Sequence, residues 1–500
     1  MRLRHALMVM PILFVEACLV GPTYRKPSAP VLPQGYKEMP KEGTTAAVTW
    51  KAAQPGDAAR RAKWWEIFHD QALNELEEQV NVSNQTIALA EAQYRGARAL
   101  VGGVRSSLFP AVGVGASVTR SSGLTTTSAG AGQAPAAVTA YEVPVDLGWE
   151  LDLFGRIRRS VQAAIAGVQA SAADLESVRL AMQAEAAADY FLLHGVDAEI
   201  QLLQKTVAGY QTEYGLTENR YRQGVASGID VAQAKTQLES TRAQATDLEI
   251  TRAQLEHALA VLAGKAPQEF SAAAAPLGAA PPEIPVGLPS ELLERRPDIA
   301  AAERRVAAAN AQIGIAVAGY FPTLNLTGLA GYYGSPLASL FSLPNRIWSL
   351  GASLAETIFD AGKRRSTYRQ AWAAYDATVA EYRETVLTAL QQVEDNLAAL
   401  RMLAQEAQYQ AVAVAAAERT LSLAKNRYMN GVTSYLEVVS AQNTALANER
   451  LAVELLTRQS TASVNLIKAL GGGWRSSDPA GLAPPPSAAP TPAKPPRPKK

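Results

Sequence analysis

The chain has 500 residues, 48% of them hydrophobic, so it is long enough to bury a large core. Its 47 lysine and arginine residues are balanced by 46 aspartate and glutamate residues, and the net charge of +1 argues against a protein that binds nucleic acid through bulk positive charge. Because the sequence has one cysteine, neither a disulfide framework within the chain nor a thiolate metal cluster can form.

The N-terminus has the layout of an export signal. Basic residues precede an apolar stretch at 6–15 that is too short to span a bilayer, and we therefore predict a signal peptide at 1–17. Cys18 follows it, an arrangement that resembles a bacterial lipoprotein signal, in which the cysteine becomes the lipidated first residue of the mature protein. The usual lipoprotein signal has a small residue at the position that Glu16 occupies here. The alternative is an ordinary cleaved signal peptide with an incidental cysteine.

The stretch at 18–62 is rich in proline and glycine and has no hydrophobic period, which predicts an extended N-terminal arm. Helical periodicity follows, and Asp70 is predicted to cap one helix from Gln71 to about Gly102. This helix opens a first structural repeat, which we place at 63–266.

After Pro110 the hydrophobic period changes from helical spacing to two, which predicts strands at about 109–121 and 141–153. Apolar residues occupy one face of these strands, and small or polar residues occupy the other. The predicted apolar face carries Val112, Val114, Ala116, Val118, Tyr141, Val143, Val145, Leu147, Trp149 and Leu151.

The same order of features recurs in a second structural repeat, predicted at 290–474 after an Ala/Pro-rich linker at 267–289. Its strands are predicted at about 321–333 and 346–359, again with one apolar face. The repeat length of roughly 210 residues is far too long for a solenoid, so the chain is predicted to be one fold made of two similar halves. The Pro/Ala/Lys composition of the tail at 475–500 predicts a disordered segment.

Alternating strands of about ten residues with aromatic residues near their ends are typical of outer-membrane β-barrels. Four strands cannot close on themselves, and open strand edges do not exist in lipid. Two chains would give about 8 strands, whose interior is filled by side chains, whereas three chains would give about 12 and leave room for a lumen. We therefore predict a trimer that shares one barrel.

Past each pair of strands a long stretch lacks proline, which predicts long helices. The first, from Arg156 to Gln223, would be about 100 Å long. Apolar residues at spacings of three or four predict a coiled-coil seam in each helix. The seams consist of Ile157, Val161, Ile165, Val168, Ala172, Leu175, Val178 and Met182 in the first helix, and of Val379, Tyr382, Val386, Leu390, Val393, Leu397 and Leu400 in the second.

Basic residues cluster where each second strand becomes a helix, and they are suited to lipid headgroups at a membrane surface. An ordinary helix start would favour acidic residues there, because the helix dipole is positive at its N-terminus. The clusters are Arg156, Arg158 and Arg159 in the first half and Lys363, Arg364 and Arg365 in the second.

Two matching segments, 219–231 and 426–438, predict the sharp tips of two helical hairpins. Gly224 and Gly431 are expected to adopt the left-handed conformation that commonly ends a helix. The pairs Ser227 with Asp230 and Ser434 with Glu437 then have the spacing of capping boxes that begin the next helix. A backbone turn with a left-handed glycine is expected to leave little room for a side chain at Gly224 and Gly431.

With these features in place, the sequence resembles the TolC-like outer-membrane efflux factors, most nearly the lipoprotein branch that serves resistance-nodulation-division pumps. The resemblance runs from about Trp64 to Gly473. Its most specific part is the segment 292–299 followed by Glu303, Ala309, Ile313, Gly314, Phe321 and Pro322.

The resemblance implies an α+β membrane protein with an internally duplicated protomer, in which a trimeric 12-stranded β-barrel in the outer membrane is continued by a long α-helical barrel of coiled-coil hairpins in the periplasm. It implies an exit duct for drugs or other small molecules. Its partners would be two further copies of the chain, a periplasmic membrane-fusion adaptor, an inner-membrane resistance-nodulation-division transporter and outer-membrane lipid, with no nucleic acid.

The resemblance also implies a periplasmic gate at the tips, to which we assign Tyr428, Glu437 and Asp230. We further predict that the tips dock the periplasmic adaptor through Gly224, Val225, Gly431 and Val432. Thr433 and Ser440 stand where some relatives place an arginine and a second acid. Each gate residue has a simpler interpretation, since Glu437 and Asp230 fit helix caps and Tyr428 fits tip packing.

An enzyme is not expected, because the four histidines are scattered and no nucleophile elbow, P-loop or metal-ligand spacing occurs in the sequence. No cofactor or metal is predicted. Two alternatives remain at this stage: a trimeric coiled-coil surface adhesin and the exit duct of a type I protein secretion system. An adhesin would carry its barrel strands at one end of the chain, and the two separated strand pairs favour a conduit.

Overall fold

A computed structural model describes residues 19–33, 35–39, 57–122, 137–277, 280–282, 284 and 295–472, with side chains from residue 63 in the third range. The predicted signal peptide, Cys18 and the tail at 475–500 lie outside these residues. The chain divides into two compact units, which we describe separately. The strand-bearing unit consists of 1–28, 93–171 and 302–382, and the helical unit consists of 29–92, 172–301 and 383–500.

Seven α-helices lie in the part of the chain that the structure describes, and a 3-10 segment at Asp57–Phe68 precedes them. They are α1 (Gln71–Ser83), α2 (Gln85–Ser106), α3 (Arg156–Arg222), α4 (Gly228–Leu262), α5 (Pro297–Ala318), α6 (Lys363–Met429) and α7 (Tyr435–Ala469). Helices α3 and α6 each have 67 residues, and α4 and α7 each have 35. Among the described helices, none has both the length and the apolar character needed to cross a membrane.

The strand-bearing unit contains one antiparallel sheet of five strands. These are β1 (Ala111–Val114), β2 (Ser117–Ser121), β3 (Val138–Leu151), β4 (Thr323–Gly334) and β5 (Arg346–Ala355). Strand β3 pairs with both β1 and β2 on one side and with β4 on the other, and β4 pairs with β5. The sheet is therefore four strands wide, with β5 at one edge.

One predicted strand, at about 109–121, is divided into β1 and β2, and the single-strand prediction was wrong at this point. Gly115 lies between them and donates its N–H to the carbonyl oxygen of Pro144 in β3 over 3.0 Å. Pro144 has no N–H to return, so the ladder loses a hydrogen bond there. The register is the same on both sides of the break, and the chain keeps one alternation of faces.

The predicted apolar face is confirmed by the register. Val112 lies opposite Leu147 and Val118 opposite Tyr141. Paired residues share a face, so the apolar set continues from strand to strand. On β3, β4 and β5 it includes Trp149 opposite Leu326, Val143 opposite Tyr332, Leu324 opposite Leu354 and Ala330 opposite Trp348. Many of these side chains are exposed in the single chain, as expected for a face that meets lipid.

The predicted helix from Gln71 to about Gly102 is interrupted at Asn84, where α1 ends and α2 begins. Asp70 does cap α1, since its carboxylate accepts from the N–H groups of Ala72 and Leu73. Asn84 caps α2 in the same way through the N–H groups of Thr86 and Ile87. Its amide also donates to the carbonyl oxygen of Leu262, the last residue of α4, over 2.9 Å.

Arg296 has the equivalent place in the second half of the chain. It is buried, is paired with Asp298, and donates to the carbonyl oxygen of Ala469, the last residue of α7, over 3.0 Å. A cation at a helix C-terminus also meets the negative end of the helix dipole. This contact gives the Arg-Pro-Asp segment of the sequence a structural role.

The predicted coiled-coil seam of α6 is largely correct, because Tyr382, Val386, Val393 and Leu397 are buried. In α3 the prediction was only partly right. Ile157 and Leu175 are buried, but the other members are half-buried. The fully buried stripe is formed by alanines instead, namely Ala163, Ala166, Ala170 and Ala173, which allow close helix approach.

The basic clusters at the starts of α3 and α6 are largely paired within the protein. Arg156 forms an ion pair with Glu150 and Arg158 with Asp152, and Arg364 pairs with Glu356 and Asp360. Asp152 also accepts from the N–H groups of Ile157 and Arg158, so an acid does cap this helix. The lipid-headgroup prediction was wrong for Arg159, which is buried.

A buried polar network in the helical unit holds part of the linker between the halves. Asp197 accepts from the guanidinium of Arg252 over 2.6 Å and from the N–H of Ala275 over 3.1 Å. Arg252 also donates to the carbonyl oxygen of Ala272 over 2.9 Å. The ring of His194 lies 3.3 Å from the carboxylate of Asp197, so this histidine is part of the same polar network.

Candidate functional site: the helix tips

Both tips have the predicted left-handed glycine. Gly224 has a φ of +76° and Gly431 a φ of +73°. In the first tip the N–H of Val225 donates to the carbonyl oxygen of Arg220, and in the second the N–H of Val432 donates to that of Arg427, each over 2.9 Å. This pattern is the Schellman motif, and it closes α3 and α6 in the same way.

The expectation that these tips lack room for a side chain was wrong. A Cβ atom built on Gly224 or Gly431 meets no heavy atom within 4 Å beyond the two adjacent residues of the chain. The cost of replacing either glycine therefore comes from the left-handed backbone alone, which costs an L-residue roughly 1–2 kcal/mol.

The two helices that follow the tips are capped differently. Ser227 and Asp230 form the predicted capping box, with the hydroxyl accepting from the N–H of Asp230 and the carboxylate accepting from the N–H of Ser227. In the second tip the prediction was wrong, because Ser434 makes no side-chain hydrogen bond as a cap. Glu437 instead accepts from Thr433 and, over 3.1 Å, from the guanidinium of Arg427.

Tyr428 lies in the packed interior of the tips rather than on their surface. Only 8% of it is exposed, and its ring lies 5.2 Å from the ring of Tyr435 in an edge-on arrangement. Burial raises the pKa of both tyrosines, so each remains a neutral phenol at physiological pH. The surrounding core consists of Ala234, Ala424, Val438 and Ala441.

Arg220 joins the first tip to the second, a role that the sequence did not predict. Its guanidinium lies 5.2 Å from the centre of the Tyr428 ring and donates to the carbonyl oxygen of Met429 over 3.4 Å. Cation–π contacts of this kind contribute about 0.5–1 kcal/mol at exposed sites. The only sequence signal was the position of Arg220 in the last turn of a helix, which also fits a dipole interaction.

A second set of contacts between the hairpins lies near the tips. Glu213 of α3 is paired with Lys425 of α6 over 2.5 Å and accepts from Gln442 of α7. Gln237 of α4 donates to Asn443 of α7 over 2.6 Å. These partners are about 200 residues apart in the chain, so no local pattern could have found them.

The surfaces of the tips carry matched apolar side chains. Val225 is 64% exposed and Val432 is 65% exposed. Ile229 and Leu436 follow at the same spacing in α4 and α7, and both are exposed. The two valines were predicted from the sequence, whereas Ile229 and Leu436 were not. Exposed apolar clusters on a polar surface commonly mark interaction sites.

Among the described residues, no group of three or more His, Cys, Asp or Glu side chains could hold a metal ion.

Comparison with known proteins identifies the fold. Residues 76–265 and 288–472 match the model of the family described as outer membrane efflux protein. The chain belongs to this family. The toluene efflux pump outer membrane protein TtgC and the antibiotic efflux pump outer membrane protein ArpC, both of Pseudomonas putida, are each 33% identical over 461 residues, which is 91% of this chain and 93% of theirs. The outer-membrane channel OprN superposes with a TM-score of 0.82 at 30% identity, over 91% of this chain and 100% of that one.

These findings confirm the predicted fold class, a protomer of a trimeric channel with a shared β-barrel and a helical barrel. The chain is an outer-membrane exit duct of an efflux system, and it works as a homotrimer with a periplasmic adaptor and an inner-membrane transporter. Members of this family are channel proteins. The surface-adhesin alternative is therefore set aside.

Proposed function

We propose that this exit duct serves a resistance-nodulation-division pump and passes small organic molecules, including apolar ones, rather than secreted proteins. The support comes from TtgC and ArpC, which are named for the efflux of toluene and of antibiotics and align with almost the whole chain. In this proposal the chain catalyses no reaction, and selection among compounds belongs to the inner-membrane transporter.

The observation that carries the proposed docking of a pump adaptor is the pair of matching tips. Each tip has a hydrogen-bonded backbone turn and two exposed apolar side chains, Val225 with Ile229 and Val432 with Leu436. A rigid apolar surface loses little conformational entropy when it is covered by a partner. The proposed docking site for the adaptor therefore comprises Gly224 and Val225 in the first tip and Gly431 and Val432 in the second.

The gate is proposed to lie at the same tips and to involve Tyr428, Glu437 and Asp230. Tyr428 would keep the hairpins packed, while Glu437 would set the charge at the narrowest point in the trimer. Adaptor binding would open the duct if it offers contacts that only splayed tips can make, because a ligand shifts an equilibrium only through differential affinity.

A charge at the tip surface should test the docking site. We expect Val432→Asp to abolish adaptor binding and resistance to antibiotics in an efflux-deficient host, because a carboxylate must be desolvated at the interface. The measurements are co-purification with the adaptor, the minimal inhibitory concentration, and trimer yield.

Ile250→Asp is the matched control, since Ile250 is an exposed aliphatic residue of α4 outside the tip segments. Normal adaptor binding by a well-expressed Val432→Asp trimer would contradict the docking site. Loss of resistance in both variants would point to a general defect instead.

Two further predictions remain proposals. Cys18 is proposed to be lipidated, with 1–17 removed as the signal peptide. The division into repeats at 63–266 and 290–474 is supported by the equal lengths of α3 and α6, of α4 and α7, and of α2 and α5, which have 22 residues each.

A further inference from the structure

The chain just after Cys18 is fixed in place by backbone hydrogen bonds. The N–H of Val20 donates to the carbonyl oxygen of Phe154 over 3.3 Å. Arg159, only 5% exposed, donates to the carbonyl oxygens of Val20 over 2.9 Å and Gly21 over 3.1 Å. A buried guanidinium directed at two successive carbonyl groups defines the path of this segment.

Close backbone approach restricts the same segment further. Gly21 has a φ of +92°, and a Cβ atom built on it would lie 2.5 Å from the Cα of Gly314. A Cβ atom on Gly155 would lie 3.3 Å from the Cα of Leu19. Further along the chain, Pro22 accepts a hydrogen bond through its carbonyl oxygen from the side chain of Asn310 over 3.2 Å. These contacts define the position of residues 19–22.

Leu19 also lines a cleft of about 430 Å³ in the strand-bearing unit. The other lining residues are Leu108, Val161, Arg158 and Gln162. Leu108 follows α2, and the other three lie in the first two turns of α3. The lining thus combines three aliphatic side chains with two side chains that carry N–H donors.

We propose that this cleft seats the lipid carried by Cys18, with one acyl chain against Leu19, Leu108 and Val161. The inference rests on the proposed lipidation of Cys18. Because consecutive Cα atoms are about 3.8 Å apart, a lipid on Cys18 begins next to the cleft that Leu19 lines. No other molecule would be covalently attached so close to the cleft.

The polar part of the lining fits the polar part of such a lipid. An acylated cysteine carries amide and ester carbonyl groups, which accept hydrogen bonds. Gln162 accepts from Arg159 through its carbonyl oxygen over 3.0 Å, so its NH2 group is the part that can donate to a ligand. A lipid bound in the cleft would fix the orientation of the protein relative to the membrane, in addition to attaching the protein to the membrane.

Photocrosslinking tests this seat in the intact protein. Cells that express the full chain are fed a fatty acid with a photoreactive diazirine, irradiated, and the purified trimer is digested with trypsin. Mass spectrometry should find the N-terminal lipopeptide crosslinked at Leu108 within the peptide 106–120, and at Val161 or Gln162 within the peptide 160–179.

Leu108→Asp should lower the yield of labelled peptides about tenfold, because a carboxylate replaces an apolar contact with the chain. Leu100→Asp is the matched control, since Leu100 is 60% exposed and does not line the cleft. The Leu100→Asp variant should give the same yield of labelled peptides as the unmodified protein.

The outcomes separate the two proposals. If the mass of the N-terminal peptide shows lipidated Cys18 but the label lies only on membrane lipid or on other peptides, the cleft proposal is overturned and lipidation stands. An unmodified Cys18 would overturn both proposals.

Discussion

Glu77 in α1 is fully buried, and neither of its carboxylate oxygens has a hydrogen-bond partner among the described residues. Burial raises the pKa of this carboxyl group to about 9. The folded protein therefore holds a proton that the unfolded chain releases, and stability falls as the pH rises from the ordinary pKa of a glutamate towards 9. Each pH unit in this window costs about 1.4 kcal/mol.

We expect Glu77→Gln to raise the melting temperature, because a neutral amide of similar shape needs no proton uptake on folding. The gain should be large at about pH 8 and small at about pH 5, as measured by thermal unfolding of the detergent-purified trimer. Glu75→Gln, an exposed neighbour in α1, is the control and should change little. Equal gains at both pH values would show that titration of Glu77 is not responsible.

The ion pair between Glu437 and Arg427 places a positive charge beside the negative charge that was expected at the gate. Both side chains are about half exposed, and such pairs contribute little to stability, about 0–1 kcal/mol. Their effect on ions in a narrow passage is larger, because three copies of each charge surround one axis.

Glu437→Gln should weaken cation selectivity, whereas Arg427→Gln should strengthen it by removing the compensating charge. The reversal potential of the channel in planar bilayers under a salt gradient measures both effects, which should shrink at high ionic strength. A shift in the same direction for both variants would show that the pair does not set selectivity.

At the scale of elements, the tips depend on packing between hairpins that are distant in sequence. Tyr428 of α6 fills the tip core and supports Arg220 of α3. Truncating a buried aromatic side chain to alanine typically costs about 3–5 kcal/mol. Because the tips are the ends of long helices, most of this loss is expected to appear as local opening and not as unfolding of the whole protein.

Tyr428→Ala should therefore raise single-channel conductance while the trimer remains intact. Tyr409→Ala is a suitable control, since Tyr409 lies in the same helix with an exposed side chain. Unchanged conductance in a correctly assembled Tyr428→Ala trimer would exclude this residue from the gate.

At the scale of the whole molecule, the sheet contributes to a barrel shared by three chains in the outer membrane. Leu350 of β5 lies on the apolar face, whereas its neighbour Ser349 lies on the opposite face. An arginine on the lipid face of a barrel costs about 2–4 kcal/mol at the bilayer midplane.

We expect Leu350→Arg to reduce the folded trimer recovered from membranes, and Ser349→Arg to be tolerated because its side chain meets the aqueous interior. Heat-modifiable migration of the trimer on gels measures the folded fraction. Equal losses in the two variants would contradict the assignment of the faces.

Much of the fold was predictable because it depends on local rules. The alternation in the strands determined which face is apolar, since successive strand residues point to opposite sides. The glycines at 224 and 431 identified the tips, because a left-handed helix end needs a residue without a Cβ penalty. The count of strands per chain, together with the need to close a barrel in lipid, led to the trimer.

Other features depend on contacts between distant segments, and only the tertiary structure decided them. The break at Asn84 follows from its bond to the end of α4, Glu437 bonds Arg427 instead of capping its helix, and Arg159 is buried against the N-terminal segment. Sequence patterns record the preferences of a residue and its near neighbours. A polar side chain can satisfy its hydrogen bonds locally or with a distant partner at similar free energy, so the packing of the folded chain makes the choice.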